Sequence, residues 1–307
     1  MNLRFSNGPE YHRLKKVLIY RPGDEVARVT WSNYRDMLFR RPVNPEKIRG
    51  EFEKLKRILR DEGVETITLN DLFEEVDWRP ATVPPNMIFM RDVMGVLGRK
   101  VYMGVMRHEA RRFEPNIVHK VFKRLGVENV HIIGEGYFEG GDLIQLNRDY
   151  LMIGYGPRTD FIGAYRLALE AAEQGLNTIL VSMPPFRVHL DGGLMPIGRD
   201  IILLHRPTLD YYPSLVVYKD GEEEVVNAYS YLAEQGYTYI EVDDDEARSF
   251  GPNVAVINST KILAYRWNVR TIDKLRDAGY DVIPFEGGEY RGAGGGPHCI
   301  FNTIERG

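Results

Sequence analysis

The side chain with the most distinctive chemistry is Cys299, the only cysteine among 307 residues. It closes the run Arg291-Gly-Ala-Gly-Gly-Gly-Pro-His298-Cys299 near the carboxyl end. Consecutive glycines let main-chain N–H groups crowd towards one point and let a ligand approach the backbone, a setting that lowers a thiol pKa. A lone thiol is commonly an inert buried residue; the glycines shift the reading towards a functional one. A second group is Phe186-Arg-Val-His189-Leu-Asp191. In an extended chain residues i and i+2 share a face, so His189 and Asp191 would project together. A histidine within reach of a thiol can serve covalent chemistry as acid and base; the plain alternative is a turn-edge histidine capped by its aspartate. The third group, Phe138-Glu139-Gly140-Gly141-Asp142, is echoed by Phe285-Glu286-Gly287-Gly288-Glu289. Acids bracketing a glycine pair can aim carboxylates into one cavity, one orienting a histidine and one gripping a cation. The second copy reads as a polar turn. Arg91-Asp92, after an apolar segment, would in isolation be a surface ion pair.

Elements that could position these residues recur along the chain. An amphipathic helix candidate stops at a glycine and a short apolar strand follows, with stops at Gly63, Gly126, Gly175, Gly236 and Gly279. Each glycine sits where a helix end needs a left-handed residue without a Cβ penalty. Strand-like pairs such as LIQL with YLMIGYG, LMPIG with IILLHRP, and VAVI with KILAYR suggest hairpins between these units. No G-x-G-x-x-G turn joins a first strand to a helix, which argues against a dinucleotide-binding fold. The pattern is strand, strand, helix, strand, five times: an α/β chain whose copies would close in a ring, each helix buried against its own small sheet. No linker divides it, so residues 1–307 are expected to form one catalytic domain. The acidic run Asp243 to Glu246 reads as a solvated loop.

Composition narrows the function. The 44 acidic and 40 basic side chains leave a formal net charge of −4, which disfavours nucleic acid or an anionic membrane as partner. One cysteine permits no intrachain disulfide and no multi-thiolate zinc site. The first thirty residues lack a signal-peptide core and no apolar run approaches ~20 residues. The expectation is a soluble cytoplasmic protein.

Taken in order, Asp92, Glu139-Gly-Gly-Asp142, His189-Leu-Asp191 and a glycine-rich loop ending His298-Cys299 resemble the guanidino-group-modifying enzymes: arginine deiminases, dimethylarginine dimethylaminohydrolases and amidinotransferases. The resemblance covers roughly residues 80 to 307. Supporting pieces are Met106-x4-Arg111-x2-Glu114, Gly154-Tyr-Gly-Pro-Arg158-Thr159, and Asn268-x2-Thr271 before Leu275-x3-Gly279. It implies an α/β propeller of five pseudo-repeats, in agreement with the glycine count, and a small guanidino substrate. It also implies roles. Cys299 would attack the guanidinium carbon, His189 would protonate the departing amine and then activate water or an acceptor amine, and Glu139 would orient His189. Asp92 and Asp191, helped by Asp142, would grip the guanidinium; Arg158 and Arg111 would clamp a substrate carboxylate. No metal or other cofactor is implied, and His189, Asp191 and His298 lack zinc-ligand spacing.

Within that group the chain departs from typical arginine deiminases. It is shorter, strand-like VLGRKVYMGV begins soon after Asp92 in place of a helical insertion, and Gly292 to Pro297 contains no arginine. The GGGPHC run with the closing Glu305-Arg306-Gly307 is similar to an amidinotransferase terminus, whereas the middle of the chain is similar to the hydrolases. The expected activity is hydrolysis of arginine or a close derivative. Amidino transfer to an amine is the alternative, and a non-catalytic ligand-binding propeller a third reading. The segment Arg28 to Asn44 is a candidate lid, or equally a surface loop or subunit contact, which leaves a homo-oligomer open.

Overall fold

Four apolar side chains, Ile48, Phe52, Leu55 and Leu59, recur at helical spacing and are all buried on one face of the helix Pro45–Asp61. Burying each contributes roughly 1.5–3 kcal/mol. Asn44 starts the helix by accepting hydrogen bonds from the Glu46 and Lys47 amides, and Gly63 ends it with φ 75°. The same grammar produces Glu114–Leu125, Phe161–Glu173, Ala228–Glu234 and Val269–Asp277. All five stopping glycines adopt φ between 68° and 90°, as a helix C-terminus requires.

In this computed structural model, which describes residues 3–307, every such helix connects two parallel neighbours of one sheet. The strand before each helix is Leu14–Ile19, Lys100–Met103, Tyr150–Tyr155, Ile201–Leu204 or Lys261–Tyr265. The parallel partners are Glu65–Thr68, Val130–Ile132, Asn177–Ser182, Thr238–Glu241 and Asp281–Phe285 respectively. On the other edge each central strand pairs antiparallel with Phe301–Arg306, Met94–Leu97, Leu143–Gln145, Leu194–Pro196 or Ala255–Asn258. Among the described residues the result is five sheets of one topology in a mixed α/β fold, including the three hairpins expected from sequence. The first sheet takes its outer strand from the C-terminus, so the two ends of the chain are hydrogen-bonded together.

Two details differ from the simple repeat. Between Ile201–Leu204 and its helix the chain inserts the hairpin Ser214–Val217 and Glu223–Val226, which joins the third sheet through Asn177–Ser182 and makes it five-stranded. The acidic run is not all solvated loop. Asp243 and Asp245 are exposed and pair with Arg270. Glu246, however, is buried and accepts from the Arg270 and Thr271 amides and the Thr271 hydroxyl, capping the next helix. No helix among the described residues is long and apolar enough to cross a membrane.

Candidate active site

The outer strand of each sheet is entered from a tight turn, and the chemistry-bearing residues lie in these turns. Met90–Val93 carries Asp92; Gly140–Asp142 follows Glu139; Leu190–Gly192 follows His189 and carries Asp191; Pro297–Ile300 carries His298 and Cys299. The fifth turn, before Ala255–Asn258, carries Asn253. Contacts run from one turn to the next. The Leu190 amide donates to Asp142 Oδ1 (2.9 Å), Asn253 Nδ2 to the Asp191 carbonyl (3.1 Å), and the His298 amide to Asn253 Oδ1 (3.1 Å). Asn302 Nδ2 returns to the carbonyls of Met90, Arg91 and Met94.

The glycines of Glu-Gly-Gly-Asp follow from this crowding. A Cβ on Gly140 would stand 2.0 Å from the Met94 carbonyl oxygen, and one on Gly141 would stand 2.8 Å from both His189 Cγ and Asp92 Oδ1. No side chain fits there.

Cys299, His189, Asp92, Asp191, Arg111 and Arg158 line one cavity of about 660 Å³. The thiol is 3.9 Å from Asp191 Oδ2 and 3.4 Å from Asn253 Oδ1, and it accepts a hydrogen bond from the Gly296 amide at 3.4 Å. His189 Nε2 is 2.8 Å from Glu139 Oε2, and Nδ1 is 3.5 Å from Asp92 Oδ1. Arg158 donates to the same Glu139 oxygen at 2.8 Å. Arg111 pairs with Asp92 Oδ2 and, at 2.8–3.2 Å, with both oxygens of Glu114. Asp191 Oδ2 is held by His298 Nδ1 at 2.8 Å.

Charge placement sets protonation. Burial alone would depress the His189 pKa, but Asp92, Asp142 and Glu139 outweigh it and raise it to about 9. Glu139 is buried too, yet Arg158, His189 and Arg111 draw its pKa down to about 2. Burial, then Asp191 and Asp92, pushes the Cys299 thiol well above its ordinary range, against the Gly296 amide and Asn253. At neutral pH the cavity is therefore lined by an imidazolium and a protonated thiol. A cation bound between Asp92 and Asp191 would neutralise the two acids that oppose ionisation of the sulfur.

Asp92, Glu139 and His189 each offer an atom within 4.8 Å of the others, a spacing a metal could use. Asp92 Oδ1 and Glu139 Oε1 have no hydrogen-bond partner, but the other oxygen of each carboxylate is engaged. Glu139 Oε2 serves His189 and Arg158, Asp92 pairs with Arg111, and the two arginines supply the compensating positive charge.

Several residues stand differently from their sequence-based expectation. Asp142 turns away from the cavity: burial raises its pKa to about 7, and its oxygens accept from the Thr159 hydroxyl (2.6 Å) and the Leu190 amide. It braces the His189 turn instead of reaching for substrate. Arg111 and Arg158 line the cavity, but their charges are spent on Asp92, Glu114 and Glu139. Arg91 and Asp92 are no surface pair; both are buried, and Arg91 bonds Glu10 at 2.8 Å. The Gly-rich run also makes room as well as presenting amides, since a Cβ on Gly296 would meet the Asn253 side chain at 2.3 Å. The segment Arg28 to Asn44 contributes Arg35, Leu38, Phe39 and Arg40 to the cavity wall.

Sequence reading missed Asn253, whose only signal is its place before the outer strand of the fifth sheet. It also missed Glu10, which lies between Arg91, Arg306 and His298 behind Asp191. A carboxylate 181 positions before Asp191 in the chain gives no local signal of that proximity.

A family model described as arginine deiminase matches residues 82–306. An arginine deiminase of Rhodococcus erythropolis is 23% identical, over 97% of this chain and 96% of that protein. The alignment runs over 389 positions against 307 residues here, so the relative holds segments this chain lacks. Among solved structures, DDAH from Pseudomonas aeruginosa complexed with citrulline superposes with a TM-score of 0.73 at 20% identity, covering 95% of this chain and 99% of that one. SxtG, an amidinotransferase from Microseira wollei, superposes with a TM-score of 0.72 at 16% identity over 98% and 97%. At these identities the two superpositions establish a shared fold.

Proposed function

The chain belongs to the arginine deiminase family, and from that premise we propose that it hydrolyses the guanidino group of arginine or a close derivative through an S-amidino intermediate on Cys299. It is a guanidino-group-modifying enzyme, a hydrolase or a transferase. The observation that supports guanidino chemistry is the shared cavity: the thiol, the imidazolium and the carboxylates of Asp92 and Asp191 line one space.

In this reading a guanidinium lies between Asp92 and Asp191, which accept its N–H groups through charge-assisted hydrogen bonds. Its positive charge offsets the acids that raise the thiol pKa, so Cys299 releases its proton to solvent on substrate binding. The thiolate adds to the central carbon. The C–N bond then breaks with its electron pair on nitrogen, and that nitrogen takes the proton of His189. Nδ1 is the nitrogen available, because Nε2 is tied to Glu139. His189, now neutral, removes a proton from water as the oxygen attacks the amidino carbon, and the C–S bond breaks to regenerate the sulfur. Glu139 holds the ring in place and favours its charged form throughout.

The five sheets of one topology, with turns contacting each other in series, support reading the modules as blades of an α/β propeller. Residues 1–307 would then act as one catalytic domain, in the cytoplasm. The deciding experiment incubates purified protein with arginine alone, then with ornithine, glycine or lysine added. Citrulline and ammonia from arginine alone are expected. Product only when an amine is present, with ping-pong kinetics, would replace hydrolysis by amidino transfer. Cys299→Ala should bind arginine without turnover; unchanged turnover would remove the thiol from the chemistry.

A further inference from the structure

An arginine-like substrate has a carboxylate at the end remote from its guanidinium, and the two arginines expected to read it are already neutralised. Arg35, Arg40 and Arg248 also line the cavity but are exposed at its rim. Arg187 is different. It lies in the cavity wall, is only 9% exposed, and makes no ion pair with any carboxylate among the described residues. Its Nε is buried without a hydrogen-bond partner. A buried guanidinium without a counter-ion is costly, so a cavity that keeps one is built for an anion.

The groups that do touch Arg187 orient it without neutralising it. Nη1 points to the Ala247 carbonyl at 3.5 Å, and Nη2 is 3.1 Å from His205 Nδ1. His205 Nε2 is 2.8 Å from Asp244 Oδ1. With a proton on Nε2 donated to Asp244, His205 Nδ1 is left as an acceptor for the arginine. Burial, followed by Arg187 and Arg248, lowers the His205 pKa against the pull of Asp244, in keeping with a neutral ring. The chain Asp244–His205–Arg187 therefore fixes the fork and leaves its charge unspent. Burial and Arg40 lower the Arg187 pKa to about 10, against Asp191 and Asp244, so the group stays cationic at neutral pH.

Resting on the guanidino reading above, we propose that Arg187 is a specificity-determining residue that pairs with the substrate's carboxylate, restricting the enzyme to guanidino acids over guanidino amines. His205 is its positioning residue.

The test measures binding to Cys299→Ser, which removes turnover and makes the result independent of whether water or an amine completes the reaction. Arginine and agmatine, its decarboxylated analogue, are titrated calorimetrically against this protein and against Cys299→Ser/Arg187→Gln. Arginine is expected to bind at least about 30-fold more tightly than agmatine to the first, as for a buried charge pair, and the ratio should collapse towards one in the second. A ratio unchanged by Arg187→Gln, or near one in Cys299→Ser, overturns this inference alone. Binding of neither compound overturns the guanidino reading and this inference with it. Should Arg187→Gln fail to fold, arginine amide replaces the variant: it keeps the guanidinium and loses the negative charge. An affinity equal to that of arginine refutes the pairing, and a comparable loss of about 30-fold supports it.

Discussion

Replacing Glu139 by glutamine should lower the pKa of His189 by about one to two pH units. Raising an imidazole from 6.5 to about 9 amounts to roughly 3 kcal/mol in favour of the charged ring. That figure is what remains after burial has worked against the charge. Asp92, Asp142 and Glu139 share the opposing effect. Glu139 is in direct contact, with Oε2 2.8 Å from Nε2. Glutamine keeps the shape and one hydrogen bond but removes the charge. It also leaves Arg158, formerly 2.8 Å from the lost charge, and Arg111, at 3.7 Å, as uncompensated cations near the ring. Both changes act in one direction. The assay is NMR titration of the histidine ring signals in the substrate-free protein, with His189 identified by its disappearance in His189→Gln. The parent signal should titrate near 9, and the Glu139→Gln signal at a distinctly lower pH. A parent midpoint at or below 6.5, or one that Glu139→Gln leaves unmoved, would refute the electrostatic account of the site.

The thiolate of Cys299, followed as the ultraviolet difference between the parent and Cys299→Ser, should form at lower pH when a non-reactive guanidinium compound is bound; an unchanged midpoint would remove substrate-assisted ionisation from the mechanism. Gly141→Ala places a methyl 2.8 Å from His189 Cγ and Asp92 Oδ1. Overpacking of that kind costs about 1–3 kcal/mol, and the displaced ring should cost about 100-fold in kcat, so near-parental kinetics would contradict the packing described. Glu10→Gln leaves Arg91 and Arg306 without their shared carboxylate. Urea unfolding at pH 7 should show a loss of about 3–5 kcal/mol. Burial opposes ionisation of Glu10, but Arg91, Arg306 and His298 hold its pKa far below the ordinary 4.5. Its contribution is therefore complete above pH 4.5 and fades as the pH falls below it, and a parent stability flat from pH 6 to 3 would contradict this.

Much of the framework was legible because its rules are local. A helix stop depends on one residue's φ, and Gly63, Gly126, Gly175, Gly236 and Gly279 all take the left-handed value they were read to need. Hairpins such as Leu143–Gln145 with Tyr150–Tyr155 follow from patterns a few residues long. The residue types at 92, 139, 189, 191 and 299 suggested the proposed chemistry by their order along the chain.

Their partners were not legible in the same way. That Asp142 braces a turn, that Arg111 and Arg158 are spoken for, and that Arg187 stands unpaired depend, the Arg111–Glu114 pair apart, on neighbours 17 or more positions away. His298 reaches Asp191 across 107 positions, and Arg306 reaches the Glu10 carbonyl across 296. A charged side chain has the same identity whether it meets a carboxylate, a carbonyl or open cavity, and its energetics differ by several kcal/mol among them. The residues alone therefore determined which groups were available and which elements would carry them. Only the assembled sheets decided which charges cancel and which are left for a ligand, because that depends on distances set when the two ends of the chain pair in one sheet.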